Sequence, residues 1–174
     1  MSDIEIFDDH QELYRRMKFS EYDFKELSKS LDAWKVKAED LFYCANILEL
    51  QLKNEITCSS LDSKISVSID RISSTYMLLV GYSFELLIKT IYISRGLEPV
   101  FDHKLLSQIN RLDIVINDAE KHILGRLTDV IYWEGRYPTP KKKEYFKDKR
   151  NVIVFNHDLK IVHDLYEKLR KQIN

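Results

Sequence analysis

The stretch RNVIVFNH places Arg150 and His157 seven positions apart, with the polar Asn151 directly after the arginine. Histidine is the side chain that gains and loses a proton near neutral pH. Arginine grips two oxygens of a phosphate through its planar fork. The pair therefore has the types needed to move a proton beside an anionic group. Seven residues is nearly two turns of helix, which puts both side chains on one face. In an extended segment the same odd separation puts them on opposite faces. The intervening NVIVF is β-branched and apolar, and Asn156 or Asp158 has the type of a helix cap. The plain alternative is that Arg150 is a surface charge and His157 a first-turn residue.

Upstream, Arg136 and Tyr137 are followed by Lys141, Lys142, Lys143, Lys147 and Lys149, with Tyr145 and Phe146 among them. Cations interleaved with rings suit a single-stranded nucleic acid, the charges for phosphates and the rings for base stacking. A solvated lysine run has the same composition. Glu85 and Lys89 lie four apart on an apolar stretch and can pair there, as a structural contact or as acid and base. His103 follows Asp102 at an expected helix start, which suggests capping, while His122 and His163 fall on helix surfaces or seams. No His/Cys cluster has the spacing of a metal site, and no serine sits in a nucleophile elbow. The absence of a Gly-rich phosphate loop excludes Rossmann and P-loop sites, and no cofactor is expected. Cys44 and Cys58 make neither a disulfide framework nor a zinc site and read as reduced core thiols of a cytoplasmic protein.

The elements that position these residues follow from composition and period. The chain has 174 residues, which fits a single domain spanning 1–174, and is 44% hydrophobic and 32% charged. Its 4 glycines and 3 prolines are too few for the turns of a β-sandwich or barrel. The expected fold is all-α, an antiparallel helical bundle of about four long helices plus one or two short ones. Residues 1–30 form a helical extension. Ser30 or Asp32 then caps a helix with Trp34, Ala38, Leu41, Ala45, Leu48 and Leu52 inward and Lys35, Glu39, Glu49 and Lys53 outward. After a connection at 57–64, a second long helix runs from about Ser66 to Ser94 and ends at Gly96. Two shorter helices follow at 102–116 and 117–133, the latter capped by Asn117 or Asp118. The segment 134–156, with Gly135, Pro138 and Pro140, is an irregular basic loop. The last helix begins near His157.

Charge is graded along the chain. Residues 1–56 hold 8 basic and 13 acidic residues, net −5, and residues 136–174 hold 11 and 5, net +6. An anionic partner would meet the C-terminal third, unless the two ends neutralise each other within a monomer or across a dimer. The first ten residues are acidic and lack the basic and apolar regions of a signal peptide. The apolar stretch from Tyr76 to Ile93 contains Glu85 and Lys89, which are costly in a bilayer, so it reads as a buried core helix with no membrane partner.

The fragments VGYSFELLIKTIYI, FDHKLLSQI and WEGRYPTP occur in that order. With the helix pattern they resemble the HEPN superfamily (higher eukaryotes and prokaryotes nucleotide-binding domains) over residues 35–174. Within it the chain is most similar to small prokaryotic proteins with a G-Y-x-x-E-x-L-x-K helix and a G-R-Y-P loop. Many HEPN proteins are metal-independent RNases with Arg, a polar residue and His near the start of the last long helix. The resemblance assigns those places to Arg150, Asn151 and His157, with a spacing at the long end of the family's range. It implies that His157 moves a proton and Arg150 holds the phosphate during cleavage by a 2′-hydroxyl. It also implies a two-fold homodimer with both motifs facing one cleft. The implied function is an endoribonuclease of the toxin or phage-defence type, acting on single-stranded RNA and paired with an antitoxin or other partner protein. The second reading is a non-catalytic HEPN-like module that binds a nucleotide, RNA or a partner protein.

Overall fold

A computed structural model describes residues 26–58, 63–137 and 153–173. The fold is an all-α bundle. Five α-helices are present among the described residues: α1 (Leu31–Cys58), α2 (Ser63–Ser94), α3 (Leu105–Arg111), α4 (Asp118–Asp129) and α5 (Asn156–Arg170). The expected extension at 1–30 lies outside the described residues except for 26–30, of which 26–29 are helical.

Helix α1 starts where the sequence places a cap, since the Ser30 hydroxyl accepts from Ala33 N–H at 3.3 Å. It pairs antiparallel with α2: the Ser83 hydroxyl donates to Ala38 O at 2.8 Å, and Tyr76 reaches Glu49. Both helices run further than expected, to Cys58 and from Ser63, so the connection shrinks to residues 59–62, which lie outside the described set. Ala38, Phe42, Ala45 and Leu52 of α1 are buried against Tyr76, Met77, Val80, Phe84 and Leu87 of α2. Two expectations for α1 fail. Glu49 faces inward, because it pairs with groups on neighbouring helices, and Cys44 is exposed rather than a core thiol.

Helix α2 ends as its sequence predicts. Gly96 adopts φ +68°, Leu97 N–H donates to Tyr92 O at 2.8 Å, and Gly96 N–H donates to Ile93 O at 2.9 Å. These are the two bonds of a Schellman cap, and the left-handed residue favours glycine. Gly81, in mid-helix, lets α4 and the turn after it approach. A Cβ there would collide with Ile131 Cγ2 and sit 3.4 Å from Leu127 O.

The segment expected as a helix over 102–116 is helical only over Leu105–Arg111. Asp113 at φ 55° breaks it, and 114–117 run without regular structure. Asn117 caps α4 in a reciprocal box: its Oδ1 accepts from Glu120 N–H at 2.9 Å, and Glu120 Oε2 accepts from Asn117 N–H at 2.7 Å. After Asp129 the helix widens into a π turn over Val130–Glu134, closed by Gly135 N–H donating to Val130 O at 2.9 Å. The helical path thus continues to Glu134, where the sequence predicts loop. Helix α5 packs Val162, Leu165, Tyr166 and Leu169 into the core. It is antiparallel to α4, with Lys168 on Glu120 and Asp158 on Arg126.

Candidate functional site

The start of α5 is fixed by a buried ion pair. Arg126 Nη1 donates to Asp158 Oδ2 at 2.8 Å, and both residues are almost fully buried. Arg126 Nη2 also donates to the carbonyl of Ile153, and the guanidinium lies 5.9 Å from the centre of the Phe155 ring. Asp158 Oδ2 in turn accepts from Phe155 N–H at 2.9 Å, which satisfies a donor at the helix start. A buried charge is tolerated only when it is paired and hydrogen-bonded, and here both members are. One arginine on α4 therefore clamps the strand-like approach 153–155 and the first turn of α5 together.

His157 rides on this support. Its side chain is 72% exposed, its Nε2 lies 3.4 Å from Asp158 Oδ1, and its ring stacks on Phe155 at 5.6 Å with a 13° interplanar angle. The imidazole thus has one nitrogen facing a fixed carboxylate and a ring otherwise open to solvent. Such a group can take a proton from, or give one to, a ligand at the surface. Arg126 cannot serve as the phosphate-gripping arginine of this arrangement, because Asp158 and the Ile153 carbonyl occupy it.

The other sequence candidates divide in two. Arg150 and Asn151, and Lys141, Lys142, Lys143, Lys147 and Lys149, lie outside the described residues. Arg136 and Tyr137 are brought together just after the π turn: the Arg136 guanidinium lies 5.4 Å from the Tyr137 ring and Nη2 donates to Tyr132 O at 2.6 Å. Both are exposed, and no contact among the described residues joins them to His157.

Two further polar clusters are built into the core. Lys89 Nζ donates to Glu85 Oε1 at 2.6 Å, and His103 Nδ1 lies 2.9 Å from Glu85 Oε2. His103 is therefore a partner of Glu85 and not a capping residue; Asp102 instead accepts from Lys104 N–H at 3.0 Å. Lys89 also lies 4.9 Å from the centre of the Phe101 ring. In the second cluster, Glu49 accepts from Tyr76 at 3.3 Å, meets His163 Nε2 at 2.8 Å and pairs with Lys53 at 2.5 Å. Burial pushes the Glu49 carboxyl up, but the hydrogen bonds and charges of Lys53 and His163 outweigh it and hold the group below its ordinary value. Burial first, and the Glu49 charge second, push the Tyr76 phenol far up. Every acid in these clusters has its base already in contact, which fits structural pairing between helices.

Among the described residues no three His, Cys, Asp or Glu side chains converge as a metal site would need. The segment Ile72–Ser94 is long and apolar enough to cross a membrane, yet 67% of its apolar window is buried inside the bundle. No protein-family model, no curated protein and no solved structure matches the chain.

Proposed function

We propose that the chain is a HEPN-like, metal-independent endoribonuclease of the toxin or phage-defence type, with its site at the start of α5. One observation carries the reading: an exposed imidazole, His157, beside a carboxylate that a buried arginine locks in place. In the proposed step His157 takes the proton of an RNA 2′-hydroxyl. The freed oxygen attacks the adjacent phosphorus, the bond from phosphorus to the 5′-oxygen breaks, that oxygen leaves as the 5′-hydroxyl with a proton from water, and a 2′,3′-cyclic phosphate remains. Asp158 faces one ring nitrogen and helps set the orientation of the ring. Arg150 holds the phosphate oxygens as charge gathers on them, and Asn151 is the polar residue between the two. Arg136, Tyr137 and the lysines from Lys141 to Lys149 draw in the strand. The protein acts in the cytoplasm, where an antitoxin or other partner protein restrains it.

Incubation of the purified protein with a single-stranded RNA and the DNA of the same sequence tests the proposal. The RNA is cut and the DNA is spared, because DNA has no 2′-hydroxyl. Cleavage of both, or of neither, overturns it.

The second reading, a non-catalytic module that binds a nucleotide, RNA or a partner protein, is favoured by the stacking of His157 on Phe155. Two parallel rings open to solvent make a platform for a base without any chemistry. Binding of RNA without cleavage is the result that selects it.

A further inference from the structure

We draw no further inference here: the strongest candidate, the side-chain cluster of Glu85, Lys89 and the partly exposed His103 between α2 and the segment before α3, has its charged groups in contact with one another, and nothing among the described residues shows what would bind against the outer side of the imidazole.

Discussion

Replacing Arg126 with alanine removes one half of the pair that holds the start of α5. Asp158 would remain 1% exposed, left among the described residues with the Phe155 N–H and the solvent-exposed His157 ring as its polar neighbours. Breaking a buried pair from one side costs about 3–5 kcal/mol, and the orphaned Ile153 carbonyl adds about 1 kcal/mol. Against a domain stability of about 5–15 kcal/mol, this is about a quarter or more of the total. Asp158→Ala should cost a similar amount, since it takes the carboxylate away from a buried guanidinium. The double variant Arg126→Met, Asp158→Leu removes both charges and leaves apolar side chains in contact, so it should recover most of the loss, leaving a deficit of about 1–2 kcal/mol from the freed backbone groups. Urea denaturation followed by circular dichroism reads all three values, and the cycle isolates the coupling. Single variants within about 1 kcal/mol of the parent, or a double variant as weak as the sum of the singles, would refute the clamp.

Gly81→Ala should lower stability even though alanine gains about 1 kcal/mol of helix propensity, because its Cβ drives into the stiff, branched Ile131 at a cost of about 1–3 kcal/mol. Thermal melts of that variant and of its combination with Ile131→Ala check this, the pair being less damaged than the sum. Glu49 sits below its ordinary value of 4.5 in the folded protein, so its contribution is present above that pH and lost as pH falls through the depressed folded value. Glu49→Gln should therefore narrow the stability gap to the parent as pH drops from 7 toward 3, read by urea midpoints at each pH. Changing Lys141, Lys142 and Lys143 together to alanine should flatten the slope of log affinity for single-stranded RNA against log salt by about 2, and an unchanged slope places the nucleic acid elsewhere.

The helices were legible where local chemistry and period agree. Ser30, Asn117 and Gly96 mark ends that the backbone respects, because each supplies a bond or a dihedral that other residues do not. The break at Asp113 and the π turn at Val130–Glu134 were not legible, since both answer to packing of distant segments rather than to local propensity. Glu49 and His103 misled for one reason: a charged or imidazole side chain reads as surface or cap until its partner arrives from another helix. The Glu49 partner His163 is 114 positions away. Arg126 carried a signal that charge alone obscured. It stands three residues after Ile123 and beside Leu127, on the buried stripe of α4, and a cation there requires an anion such as Asp158.

The central claim is that His157 performs proton transfer from the start of α5. Cleavage of an end-labelled single-stranded RNA by the parent and by His157→Ala, in excess chelator and at several pH values, tests it most directly. The account predicts that the parent cuts and leaves a cyclic phosphate, that His157→Ala retains the parent's melting temperature because its ring lies in solvent, and that its cleavage falls at least about a hundredfold, the range of a lost general base. A variant that folds and cuts as fast as the parent, or a parent that leaves the RNA intact at every pH, contradicts it.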